Sequence, residues 1–134
     1  DVEMYFVAPD AFQIAPDLEQ SLEQSRVKII KSGNLKEVLP DVDCVYMTRI
    51  QDEYDMSNES GQINYDLFSL FPEELKLMKA DSIFLNPLPR RSEIHPDVDL
   101  DPRAMYWRQL SNGLNIRAAL MLYIFNQSHR LQEY

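Results

Sequence analysis

Apolar residues fall along the chain in short bursts, separated by polar stretches and prolines. Met4-Tyr5-Phe6-Val7, closed by Pro9-Asp10, predicts a buried strand. Residues 27–30, 44–48 and 82–85 predict three more. The unbroken run Cys44-Val45-Tyr46-Met47-Thr48 suits a parallel strand covered on both faces. Helical signals lie between these runs. Pro16 stands at a helix start with Leu18 and Leu22 four apart, predicting a helix over 17–25. Asn34 caps a short helix over 35–39 that Pro40 stops. Asn64 caps a segment running toward Phe71, and Pro72 opens another with Glu73 and Glu74 in a first turn that favours negative charge. Near the end the pattern predicts helices over 104–110 and 115–127, with Asn112-Gly113 as a break. Residues 49–62 are polar, acidic and without period, and read as a loop.

Strands alternating with helices predict an α/β fold: a doubly wound, mostly parallel sheet with helices on both faces. About four strands is fewer than such sheets usually hold. The last helix is apolar nearly all round, from Ile116 to Phe125, and a small two-layer domain cannot cover every side of it. Both features predict that another segment or chain completes the fold. Ligands of such sheets bind beyond the carboxyl ends of the strands. Two motifs stand there: Thr48-Arg49-Ile50-Gln51 after the third strand and Pro87-Leu88-Pro89-Arg90 after the fourth.

Charge narrows the possible partners. With 13 Lys+Arg against 22 Asp+Glu the net charge is −9, which argues against nucleic acid or an anionic membrane as the partner surface. A small anion is still open, because it responds to local charge. At 134 residues with 45% hydrophobic residues the chain has room for one ordinary domain. The single cysteine, Cys44, cannot close an internal disulfide and reads as inert core; no Cys/His cluster offers a zinc site. A cytoplasmic setting follows. The longest apolar run, residues 118–125, is far short of the roughly 20 residues of a membrane span. The start, Asp1-Val2-Glu3, is neither a signal peptide nor an initiator Met, so the chain reads as part of something longer.

Arg49 and Gln51, two apart in extended geometry, share a face. A guanidinium fork and an amide together suit a carboxylate, although a surface Arg in a loop is the plainer alternative. Pro87-Leu88-Pro89 is rigid; one of its X–Pro bonds can be cis and aim the Leu88 carbonyl at a substrate N–H, or the segment is simply a turn. The acidic run from His95 to Asp101 fails as a calcium loop. Counting from Asp97, the required Gly and Glu positions hold Pro102 and Arg108, so the run reads as a solvated linker. His95 and His129 have no nucleophile motif beside them. Met105, Tyr106 and Trp107 read as packing. With glycines only at 33, 61 and 113 there is no Gly-rich phosphate loop, and no cofactor is expected.

Together these residues resemble the aspartate carbamoyltransferase family. The resemblance rests on Tyr46-Met47-Thr48-Arg49-Ile50-Gln51, on Pro87-Leu88-Pro89-Arg90 followed by Glu93-Ile94, and on Asp97-Val98-Asp99. Asp101-Pro102-Arg103-Ala104, Arg108-Gln109, Asn112-Gly113 and Ile116-Arg117 extend it, as does Tyr5-Phe6-Val7-Ala8-Pro9 near the start. The Cys-Leu-Pro loop and Ser-Met-Gly segment of ornithine carbamoyltransferases are missing. The resemblance implies transfer of a carbamoyl group from carbamoyl phosphate to L-aspartate, on the way to pyrimidines. It implies that Arg49 and Gln51 bind the side-chain carboxylate of aspartate, that the carbonyls of Pro87 and Leu88 accept from substrate N–H groups, and that Leu88–Pro89 is cis. It also implies a homotrimer of the full-length chain, with regulatory or fused enzyme partners. On this view residues 1–113 are an aspartate-binding domain without its first strand. Residues 114–134 form a helix that packs on an absent carbamoyl-phosphate domain or another chain. The loop over 52–62 would be mobile and close over substrate. Two departures stand out: Asn86 where the family usually has His, and Asp52-Glu53-Tyr54 where it usually has Lys-Glu-Arg. Asp52 and Tyr54 lend some weight to a non-catalytic carbamoyltransferase-like subunit of structural or regulatory role, which Arg49, Gln51 and the Pro-Leu-Pro loop oppose; a carbamoyltransferase for another amino acid is a third reading.

Overall fold

The computed structural model describes residues 2–48 and 64–133. Among these residues four strands and three α-helices follow one another as β1 (Glu3–Val7), α1 (Pro16–Gln24), β2 (Lys28–Ser32), α2 (Leu35–Val38), β3 (Cys44–Tyr46), β4 (Ile83–Leu85) and α3 (Tyr106–Ile124). Short 3-10 turns occupy Tyr65–Phe68, Glu74–Lys76 and Pro96–Leu100. The helix starts follow local chemistry. Pro16 fixes the first turn of α1, and Asn34 accepts from the Lys36 N–H at the start of α2. The ends of α1 and α3 are alike. Arg26 and Asn126 take left-handed φ values of 60° and 55°, and the next N–H bonds back to Leu22 and Leu122 respectively.

The α/β class and the parallel pairing agree with the sequence reading. β1 pairs with β2 in the register Glu3↔Lys28 to Val7↔Ser32, and β3 with β4 in the register Cys44↔Ile83 to Tyr46↔Leu85. The strands thus form two parallel pairs. A cleft of about 1030 Å³ separates β1 from β3, lined by residues 3–9 on one side and 41–48 on the other, with Leu35, Val38 and Phe68 among its remaining walls. Cys44 lines this cleft and is exposed, so it is not core as the sequence reading had it; desolvation still pushes its thiol pKa up.

The core lies between α2, β3, β4 and the segments around them: Leu35, Val38, Leu39, Val45, Met47, Leu70, Met78, Phe84, Ile94, Val98 and Tyr106. β4 is paired on both sides, because its outer edge bridges to Ala104 through Phe84. Glu74 was expected to complement a helix dipole. It is buried, accepts from the Phe71 N–H at 3.0 Å and pairs with Lys36 at 2.7 Å.

Two further expectations are corrected. Residues 95–101 are not a solvated linker: Pro96–Leu100 is a 3-10 turn with Val98 fully buried. Asn112-Gly113 does not break the last helix, and α3 runs through it for 19 residues. A glycine inside a helix costs only about 1 kcal/mol, which the good helix formers on either side offset. Beyond Tyr106 no residue of α3 is buried. Leu110, Leu114, Ile116, Leu120, Met121, Tyr123, Ile124 and Phe125 are all exposed. No helix among the described residues is long and apolar enough to cross a membrane.

Candidate functional site

Because β3 and β4 are parallel and in register, their carboxyl ends open side by side. Met47 N–H donates to the Leu85 carbonyl at 2.8 Å, which brings Met47 alongside Asn86. The motif after β3 continues into Arg49 and Gln51, which lie outside the described residues, as do Asp52, Tyr54 and the acidic loop. The motif after β4 is fully described.

There the Leu88–Pro89 bond is cis, as the sequence reading expected, and Leu88 adopts φ 50°. A branched L-residue in the left-handed region is disfavoured by on the order of 1–2 kcal/mol. Leu88, unlike Arg26 and Asn126, ends no helix, so local contacts must hold it. They come from Asn86. Its Oδ1 accepts from the Leu88 N–H at 2.7 Å, its Nδ2 donates to Glu93 Oε1 at 3.1 Å, and its backbone N–H donates to Gln109 Oε1 at 3.1 Å. Glu93 Oε2 accepts from the Arg91 N–H at 2.9 Å, and Gln109 Nε2 donates to the Tyr46 hydroxyl at 3.3 Å. Asn86 and Glu93 are both buried.

A second group braces the loop from behind. Arg90 forms a two-pronged pair with Asp99, with Nη2 2.7 Å from Oδ2 and Nη1 against Oδ1. Tyr106 donates to Asp99 and accepts from Arg90 Nη1 at 3.1 Å. The guanidinium also lies near the Tyr106 and Trp107 rings, 5.7 and 5.9 Å from their centroids. The bond from Arg90 holds Asp99 below the usual carboxylate range, while burial, aided by Asp99, pushes the Tyr106 phenol up to about 12. Arg103 plays a similar part nearby. It pairs with Asp101 at 2.8 and 2.9 Å and donates to the Leu75 and Lys79 carbonyls, fastening residues 75–79 to the turn before α3.

Of the residues singled out from sequence, Pro87, Leu88 and Pro89 stand at the sheet's carboxyl edge as expected. Sequence reasoning missed Glu93, Gln109, Arg90 and Asp99 as supports of the loop. The one local signal for them was Asn86 itself, an amide side chain between a buried strand and a proline. Among the described residues there is no cluster of His, Cys, Asp and Glu that could hold a metal.

Residues 1–124 match the family model for the aspartate/ornithine carbamoyltransferase, Asp/Orn binding domain. The aspartate carbamoyltransferase catalytic subunit of Alkaliphilus oremlandii is 38% identical over 122 residues, which is 90% of this chain and 37% of that protein. The chloroplastic aspartate carbamoyltransferase of Arabidopsis thaliana is 40% identical over 129 residues, 90% of this chain and 31% of the relative. Among solved structures, the Trypanosoma cruzi aspartate transcarbamoylase with carbamoyl phosphate superposes with a TM-score of 0.80 at 31% identity, covering 90% of this chain and 39% of that one. The same enzyme with N-(phosphonacetyl)-L-aspartic acid gives 0.79 at 32% identity with the same coverage. The chain therefore spans between three and four tenths of these relatives.

Proposed function

The chain belongs to the aspartate/ornithine carbamoyltransferase family, and from that premise we propose that it is the aspartate-binding portion of an aspartate carbamoyltransferase. The enzyme would transfer the carbamoyl group of carbamoyl phosphate to the amino group of L-aspartate in pyrimidine synthesis. The observation that carries this reading is the loop after β4. Leu88, left-handed and with its N–H held by Asn86, leaves backbone carbonyls at the strand ends where ligands of such sheets bind. Carbonyls there accept from N–H groups of an amino-acid substrate and of the carbamoyl group. Arg49 and Gln51, which follow β3 in the sequence, would supply the fork and amide that a side-chain carboxylate needs; the ammonium of ornithine would be repelled by Arg49.

Attack of an amine on a carbamoyl carbon needs positioning and stabilisation of the developing oxyanion, with no covalent nucleophile. The residues assigned here serve positioning. Carbamoyl phosphate would be held by a second domain. The exposed apolar face of α3 supports that division: residues 114–134 pack on the second domain or on another chain. The cleft between β1 and β3 supports a further strand, which would unite the two pairs and complete the domain formed by residues 1–113. The full-length enzyme is a cytoplasmic homotrimer in this reading, and its loop over 52–62 closes on substrate.

The test is Arg49→Ala in the polypeptide that joins this chain to its carbamoyl-phosphate domain. Loss of a charge-assisted two-pronged contact costs on the order of 1.5–3 kcal/mol, so aspartate KM rises and kcat falls. Unchanged kinetics would remove Arg49 from the site. Absence of any transfer in the unmutated protein would favour the non-catalytic subunit instead, the reading toward which Asp52 and Tyr54 lean.

A further inference from the structure

We infer that Asn86 is the positioning residue of this site, a clamp anchored by Glu93 and Gln109 that sets the direction of the Leu88 carbonyl. The inference rests on the proposed transfer to aspartate and adds to it the device that orients the substrate's acceptor.

Leu88 sits in a disfavoured backbone region between two prolines, so its conformation is not self-sustaining. Its N–H is held by Asn86 Oδ1 at 2.7 Å. Because the other end of the amide donates to Glu93 Oε1, the side chain cannot turn over without facing donor to donor and acceptor to acceptor. Glu93 is fixed in turn by the Arg91 N–H, and the backbone of Asn86 by Gln109, whose own amide reaches Tyr46 on β3. Asn86 is 2% exposed and Glu93 8%, so water does not readily substitute for either partner. The clamp thus ties the loop to β3 and α3, the elements that flank the site.

The test uses the polypeptide carrying both domains, assayed for carbamoyl transfer. Asn86→Asp keeps the acceptor for the Leu88 N–H but sets a second carboxylate against Glu93. Misplacement of the carbonyl by around 1 Å then lowers kcat/KM for aspartate by about 10²-fold, with KM for carbamoyl phosphate unchanged. Adding Glu93→Gln restores a donor facing an acceptor with the roles exchanged, leaves an oxygen for the Arg91 N–H, and recovers most of the loss. An Asn86→Asp variant that melts earlier yet keeps its kcat/KM for aspartate would overturn the inference, as would failure of Glu93→Gln to rescue it. Amide exchange of the chain separates this inference from the functional reading. If the unmutated protein transfers nothing to aspartate, the functional reading fails. If the Leu88 N–H exchanges as fast in the unmutated chain as in Asn86→Ala, the clamp fails.

Discussion

Residues 2–33 and 35–106 are built from the same strand and helix units, yet they bury very different amounts. No residue of β1, α1 or β2 is buried. Every buried core residue lies between Leu35 and Tyr106. The first region relies on exposed ion pairs, Lys28 with Glu3 and Lys31 with Glu19, of a kind worth roughly 0–1 kcal/mol each. The second has β4 paired on both edges and two half-enclosed Arg–Asp pairs behind its loop. A strand is covered only when it has neighbours on both edges and both faces. β1 has the open cleft on one side, whereas β4 has β3 on one edge and residues 103–105 on the other. The described part of the candidate site, Gln109 on α3 apart, belongs to the better-packed region.

The sharpest way to break this contrast is to truncate one apolar residue on each side. Phe84, fully buried, should lose about 3–5 kcal/mol on replacement by Ala. Leu18, about half exposed on α1, should lose no more than about 0.5 kcal/mol. Urea unfolding followed by the lone Trp107, which packs beside Tyr106 in the second region, measures both. Equal losses would mean that the first region is as well packed as the second.

A smaller effect distinguishes the regions by pH. Asp99 and Asp101 are held below the usual carboxylate range by Arg90 and Arg103. Stability from a depressed carboxylate is present above its unfolded pKa of about 3.9 and is lost as pH falls through the folded value. The second region should therefore weaken from roughly pH 4 downward. Asp99→Asn should cost about 1–3 kcal/mol at neutral pH and flatten this acid limb. At the other extreme the raised Tyr106 phenol supplies stability that is intact below about pH 10. That stability is lost as pH climbs through about 12. Acid and alkaline melts of the two proteins check both limbs; an unchanged acid limb in Asp99→Asn would assign it to other groups.

The smallest effect concerns α3, which belongs to neither region beyond Tyr106. A Cβ at Gly113 would meet nothing within 4 Å. Gly113→Ala should raise the stability of the chain by about 0.5–1 kcal/mol. If a second domain covers this face, the gain should vanish in the joined polypeptide. A thermal melt of each protein reads the difference, and equal gains in both would argue that nothing packs over Gly113.

Much of this architecture was legible in the sequence because it is written locally. Pro16 starts its helix through its own ring, Asn34 and Asn64 start their segments by accepting from an N–H two residues on, and the parallel strands announce themselves by unbroken apolar runs. The cis loop was legible for the same reason. What escaped was non-local. Asp99 looked like one more solvated acid, since nothing in the sequence says that Arg90 folds back across a turn to meet it. Glu93 and Gln109 converge on Asn86 from positions 7 and 23 residues away, a meeting that only the fold creates. Asn112-Gly113 misled in the opposite sense, as a local preference worth about 1 kcal/mol that the surrounding helix overrides.

The segment from Pro87 to Pro89 has a polarity of its own. Two of its residues have no amide hydrogen, and the third has committed its hydrogen to Asn86. The stretch therefore offers lone pairs and nothing to donate. Any group that presents oxygen to it, whether a carboxylate or a phosphate turned the wrong way, meets repulsion with no compensating bond. The loop works as a filter for the orientation of its guest: it admits hydrogen-bearing nitrogen and turns away the anionic ends of the same molecule.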